Sequence, residues 1–190
     1  MSARSERWFK WLAAQGGPRV LDLGARGGDD IQSGFRAEAL RHNPHAVIVG
    51  YDMQPGKGVD VVGDAHEIAS HFPPRHFDAV WCAAMLEHVR RPWIVVEQLA
   101  HVVRGGGFLY LQTHQTFPYH AHPNDYFRFS TAAIRELFTP ELGWRVLDVE
   151  HEFPCRVLPL SNNYTHARDW NFEAPAWLNV DAAIERVAHA

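Results

Sequence analysis

The residues of this chain best suited to chemistry are strand-end carboxylates, a glycine-rich turn and a group of histidines. The segment Arg19-Val-Leu-Asp-Leu-Gly-Ala-Arg-Gly-Gly28 carries an apolar strand through Asp22 into glycines, and Asp29, Asp30 and a helix-like pattern follow. A strand, a glycine turn and a helix N-terminus make a nucleotide-type cradle. Gly24 permits a tight turn with positive φ, and Gly28 lets backbone approach a ligand closely. Asp22 sets this cradle apart from a phosphate site. A phosphate needs N–H groups and positive charge, whereas a carboxylate suits a cofactor that carries positive charge and no phosphate. Asp52 ends the next apolar run, where a carboxylate can accept both hydroxyls of a ribose. Asp64 follows in Val61-Val-Gly-Asp-Ala65, placed to cap the turn at His66.

Two further clusters could act on a substrate. Glu87 and His88 close Phe77-Asp-Ala-Val-Trp-Cys-Ala-Ala-Met-Leu-Glu-His88. Histidine is the usual proton acceptor near neutral pH, which makes His88 the leading base. The stretch from Thr113 to Ser130 holds His114, His120, His122, Asp125 and Arg128 among Phe117, Tyr119, Tyr126, Phe127 and Phe129. His120, His122 and Asp125 read as base candidates, and His114, Tyr119, Tyr126 and Arg128 as acceptor-side contacts. Phe127 and Phe129 read as core, and Ser130-Thr131 as a helix cap. His120 and His122 with Asp125 are also a candidate seat for a divalent metal, though loop spacing of this kind does not by itself select one.

These residues need a frame that brings them to one edge. Periodicity predicts helices over 5–15, 31–42, 66–71, 92–104 and 131–138, and strands over 19–23, 46–52, 59–62, 77–83 and 108–113. Gly105-Gly-Gly107 reads as a helix stop. Residues 144–153 and 156–160 read as a closing β pair, 161–175 as a polar-aromatic loop and 180–188 as a final helix. Strands alternating with helices predict an α/β fold, a Rossmann-like doubly wound sheet, mostly parallel with an antiparallel closing pair. Ligands bind such sheets beyond the C-terminal strand ends, where each cluster above falls. One domain over 1–190 is expected: an N-terminal helix over 1–18, a core over 19–160, and a C-terminal loop and helix over 161–190.

Composition narrows the function classes. With only Lys10 and Lys57 as lysines and a formal charge of −4, the chain lacks the basic face a nucleic-acid partner needs. No apolar run reaches the ~20 residues of a membrane span. The first ten residues scatter charge through the stretch where a signal peptide would be apolar. Cys82 and Cys155 have no metal-type spacing. A cytoplasmic protein with reduced thiols is expected.

Val20-Leu-Asp-Leu-Gly-Ala-Arg-Gly-Gly28 resembles the first motif of the class I S-adenosylmethionine (SAM)-dependent methyltransferases, with Arg26 where that family carries its middle glycine. The stretches 77–89 and 92–107 resemble the family's continuation, so the likeness spans roughly residues 19–150. It implies SAM as cofactor, held by Asp22, Gly24, Ala25, Gly28, Asp52, Met53, Asp64, Ala65, His66 and Ala83. Some small-molecule O-methyltransferases of this kind hold a metal on E-x-x-E-H; here Ala84 replaces the first glutamate, and Glu87 and His88 match. His122-Pro-Asn-Asp-Tyr-Phe-Arg-Phe-Ser130 resembles methyltransferases of saccharide and glycan pathways. The resemblance therefore implies methyl transfer to a hydroxyl of a small molecule, with a saccharide as favoured acceptor and a homodimer as an open option. The competing readings are an amine N-methyltransferase, a SAM-binding scaffold without turnover, and an NAD-dependent oxidoreductase. The placement of Asp22 and the missing G-x-G-x-x-G speak against the last.

Overall fold

A computed structural model describes residues 2–27, 34–120, 123–157 and 176–188. Seven strands form one sheet in the order β3-β2-β1-β4-β5-β7-β6. Strands β1 (Arg19–Leu23), β2 (Val47–Asp52), β3 (Val61–Val62), β4 (Phe77–Ala83) and β5 (Val103–His114) run parallel. β7 (Ala176–Arg186) inserts antiparallel between β5 and β6 (Trp144–Cys155). Helices α1 (Ala3–Ala13) and α2 (Phe35–His42) cover one face; α3 (Ile68–His71), α4 (Pro92–Val102) and α5 (Thr131–Leu137) cover the other. Among the described residues no helix is long and apolar enough to cross a membrane.

The double winding can be followed in the alternation of side chains. On β5, Phe108 and Tyr110 join the core under α1 and α2, whereas Leu109 and Leu111 join the core under α4 and α5. On β4, Ala79 faces the first core and Val80 and Cys82 the second. A period of two with both faces apolar is what a sheet buried on both sides demands. The first core is built on aromatic contacts: Trp8 meets Phe9, Phe35 and Trp81, and its indole N–H donates to the Val80 carbonyl at 3.1 Å. Helix starts follow their caps. Ser2 Oγ accepts from the Ser5 amide to open α1, Ser130 Oγ accepts from the Ala133 amide to open α5, and Pro92 sits at the first turn of α4.

Three expectations are corrected. The closing pair is β6 with β7, so its second strand lies at Ala176–Arg186; of the expected 156–160, residues 156 and 157 are outside any strand and 158–160 lie outside the described residues. The expected helix at 180–188 is consequently β strand as far as Arg186. Val180, Ile184 and Val187 have helical spacing, but Val180 through Ile184 are all buried, because β7 is an interior strand covered on both faces. Such a run shows no alternation, and periodicity does not separate it from a buried helix. The Gly105-Gly-Gly107 segment opens β5 instead of stopping α4, which ends at Val102. Gly28, the start of the expected helix at 31–42, His122 and the loop 161–175 lie outside the described residues.

Candidate functional site

The C-terminal ends of β1, β2 and β4 open onto a cleft of about 600 Å³. Gly24, Asp52, Met53, Asp64, Ala65, His66 and His88, all named from sequence, line it, with Met85, Asn124 and Tyr126. Asp22, Ala25 and Ala83 line a smaller hollow of about 210 Å³ that shares Gly24, Arg26 and Gly27 with the cleft.

Each wall has a local cause. The chain must leave β1 abruptly, and Gly24 does so at φ 84°, in the left-handed region. A Cβ there would sit 2.8 Å from Met85 Cβ and Cγ, so the turn and the segment after β4 are in direct apposition. Asp52 lies where β2 ends. Its Oδ2 accepts from the Arg26 amide at 3.2 Å and its Oδ1 from the Gln54 amide at 2.9 Å. Each carboxylate oxygen has a second lone pair, so this clamp leaves acceptor capacity for a diol. Asp64 Oδ1 accepts from the His66 amide at 2.9 Å and meets His66 Nδ1 at 2.5 Å. Burial acts to raise the Asp64 carboxyl, but these hydrogen bonds and the nearby His66 and Arg90 charges hold it below the usual range. The cap and the cleft-lining role coexist at Asp64. Beneath it, burial pushes the Tyr51 phenol up to about 12, and the neutral hydroxyl donates to the Asp64 carbonyl at 2.9 Å.

Asp22 is nearly buried. Burial pushes its carboxyl up to about 7; Arg36 opposes this, and Asp52 and Asp60 add to it. A buried acid beside other acids and an open hollow is a seat for positive charge. Ala84 is also strained, at φ 50° on a residue with a Cβ, where β4 turns into the cleft floor. Such backbone clusters at working sites.

The histidine cluster follows β4 and β5. His88 Nδ1 lies 2.6 Å from the Asn124 carbonyl oxygen. A carbonyl only accepts, so Nδ1 carries the proton and Nε2 is the basic atom. Glu87 is fully buried: its Oε2 accepts from Thr113 Oγ1 at 2.7 Å, and its Oε1 lies 3.2 Å from His114 Nε2 and 3.9 Å from His88 Nε2.

The other loop residues have a different part. Asp125 is clasped by Arg128, its Oδ2 accepting from Nη2 at 2.6 Å and from the His120 amide at 2.9 Å. Those bonds hold the Asp125 carboxyl far below the ordinary range, which makes it a poor base. Arg128 also donates to the Phe117 and Pro118 carbonyls at 3.1–3.2 Å, so its fork fastens the loop and does not reach the cleft. Tyr119 is exposed and off the cleft, while Tyr126 lines it. Sequence reading missed Thr113 and Asn179. Asn179 arrives on β7 opposite His114, a pairing that depends on the strand read as a helix.

The site fits SAM on its own geometry: a glycine turn closed to any Cβ, a clamped acceptor at the end of β2, and a buried acid beneath. Comparisons agree. A family profile described as "Methyltransferase domain" matches residues 2–170. The ubiquinone biosynthesis O-methyltransferase of Ralstonia nicotianae is 34% identical over 112 residues, covering 56% of this chain and 47% of that protein. The one from Cupriavidus pinatubonensis is 27% identical over 205 residues, covering 95% and 78%. The chain spans about half the length of the first of these relatives. A SAM-dependent methyltransferase from Archaeoglobus fulgidus superposes with a TM-score of 0.68 at 16% identity, covering 96% of this chain and 91% of that one, which is a likeness of fold. The chain belongs to the methyltransferase domain family, as a class I SAM-dependent member.

Proposed function

We propose that this protein transfers a methyl group from SAM to a hydroxyl on a small aromatic ring of the phenol or quinone-precursor class. The observation that carries the reading is His88: its proton is pinned on Nδ1 by the Asn124 carbonyl, and the basic Nε2 stands beside a cleft closed by Gly24, Asp52 and Asp64. When bound, SAM supplies an electrophilic methyl. The chain's own part is to hold the acceptor and take its proton. Asp52 is the acceptor for the ribose diol, Asp64 with Ala65 borders the adenine, and Asp22 faces the positive charge. His88 Nε2 receives the hydroxyl proton, and Nδ1–H is steadied by Asn124 as the imidazole becomes cationic.

Two features favour a flat ring over a sugar. The loop reaches the cleft through Pro123, Asn124 and Tyr126, and Met53, Met85 and Val89 line the same cleft, which gives a ring apolar surface to lie against. The polar groups a saccharide would use, Asp125 and Arg128, are bonded to each other. The names of the curated relatives, ubiquinone biosynthesis O-methyltransferases, point the same way and lend the saccharide acceptor no support.

The test offers radiolabelled SAM with a panel of ortho-dihydroxyphenols, monophenols, sugars and amines. Label on a phenolic oxygen is the expected result. Transfer confined to sugars or amines overturns the acceptor class, and tight SAM binding without transfer to any of them overturns the catalytic reading.

A further inference from the structure

The buried Glu87 carboxylate has an unanswered oxygen. Oε2 receives the Thr113 hydroxyl, but among the described residues Oε1 receives no hydrogen bond although the side chain is wholly buried. A buried anion with half its charge unmet is strongly unfavourable unless a cation or a proton meets it. Among the described residues the atoms around Oε1 do not supply one. His114 Nε2 lies 3.2 Å away, but His114 Nδ1 meets Asn179 Oδ1 at 2.9 Å, which puts the ring proton on Nδ1. His120 Nδ1 meets the Pro118 carbonyl at 3.0 Å, which does the same there. Each ring therefore turns a lone-pair nitrogen, not a proton, toward its remaining neighbours. The guanidinium of Arg128 is in the vicinity and is taken by Asp125.

An acceptor-only cluster is the signature of a missing cation. Metal-ligating histidines nearly always donate their second ring N–H to a carbonyl or carboxylate, which fixes the tautomer. His114 and His120 both show that arrangement. Glu87, His114 and His120 bring one ligating atom each to within 4.8 Å of the others. A tetrahedral zinc site with bonds of about 2.1 Å needs ligand atoms about 3.4 Å apart, so a small rotamer closure completes it.

We infer that Glu87, His114 and His120 form a binding site for one divalent transition cation of the zinc or cobalt type. Two imidazoles and one carboxylate favour such ions over magnesium or calcium, which prefer all-oxygen shells. This ligand set differs from both seats read in the sequence, because it joins Glu87 after β4 to His114 at the end of β5 and to His120 in the loop beyond. It stands on side-chain geometry and does not depend on which acceptor is methylated.

Untagged protein, stripped with chelator, is titrated with Zn²⁺ by calorimetry and with Co²⁺ by visible absorption. The expected result is one ion per chain with a d–d band of low-symmetry N/O coordination. Glu87→Gln and His120→Ala should each weaken binding at least tenfold, beyond what loss of an outer partner commonly costs. His120 is only half-buried, so His120→Ala keeps a folded variant in hand if Glu87→Gln is unstable, and circular dichroism checks both. His45→Ala, on an exposed turn, should bind as the parent does. Absence of stoichiometric binding, or binding unchanged in both ligand variants, overturns the proposal.

Discussion

Asp22 and Asp52 are two carboxylates proposed to meet the cofactor, and their surroundings suit them to different work. Asp52 is clamped by two amides and remains an open acceptor, whereas Asp22 is buried and pushed up to about 7. A cation binds the ionised form, so SAM affinity should rise as pH goes from 6 to 8, by up to about tenfold, and Asp22→Asn should abolish that slope. Calorimetry across this range checks it. The apo protein should show the opposite trend. Folded Asp22 keeps a proton that the unfolded chain has lost above about pH 4, so stability falls as pH rises from about 4 to 7. Thermal melts of the parent against Asp22→Asn isolate that contribution. Asp52→Ala should weaken SAM roughly 10²- to 10⁴-fold, as expected for two lost charged hydrogen bonds at about 1.5–3 kcal/mol each. His88→Ala should lower kcat about 10²- to 10³-fold and leave SAM affinity within about twofold. Equal effects of the two variants on SAM binding would dissolve this division of roles.

At the scale of elements, the β1 turn is the most constrained join. Gly24→Ala must place a Cβ at φ 84° and against Met85, so a loss of about 2–3 kcal/mol is expected, with SAM affinity falling alongside it. Urea unfolding measures the first and calorimetry the second. This turn, and the parallel strands β1, β2 and β4, were legible because their residues obey local rules: an apolar run, a turn glycine, a polar strand end. β7 was not, since burial on both faces erases the alternation that identifies a strand. Asn179, Thr113 and the Glu87–His114 contact were illegible for a related reason. Their roles come from partners brought together across β4, β5 and β7, and spacing along the chain carries no trace of that. Asp125 and Arg128 illustrate the converse. Their types suited substrate contact, but at three residues apart they satisfy each other first.

Across the whole molecule, α1 is fastened to the far edge of the sheet by charge as well as by Trp8. Arg4, with 7% of its side chain exposed, faces Asp148, Glu150 and Glu152 on β6. Removing it leaves three neighbouring carboxylates without a counter-charge. Asp148 and Glu150 are 40% and 66% exposed, so solvent screens much of the interaction. The expected cost of Arg4→Ala is therefore about 1–2 kcal/mol, below that of breaking a fully buried pair. Differential scanning calorimetry should show Tm lower by about 3–6 °C, with a smaller difference in high salt.

The place of β7 sets an order on how the protein can be made. β6 meets the sheet only through β7, yet it leaves the ribosome first. While β7 is still being synthesised, β6 has no strand to pair with and the outer edge of β5 stands open, a template for pairing with another nascent chain. The five parallel strands can assemble ahead of it, so the sheet closes from its interior outward, and the open edge of β5 is covered only when β7 inserts.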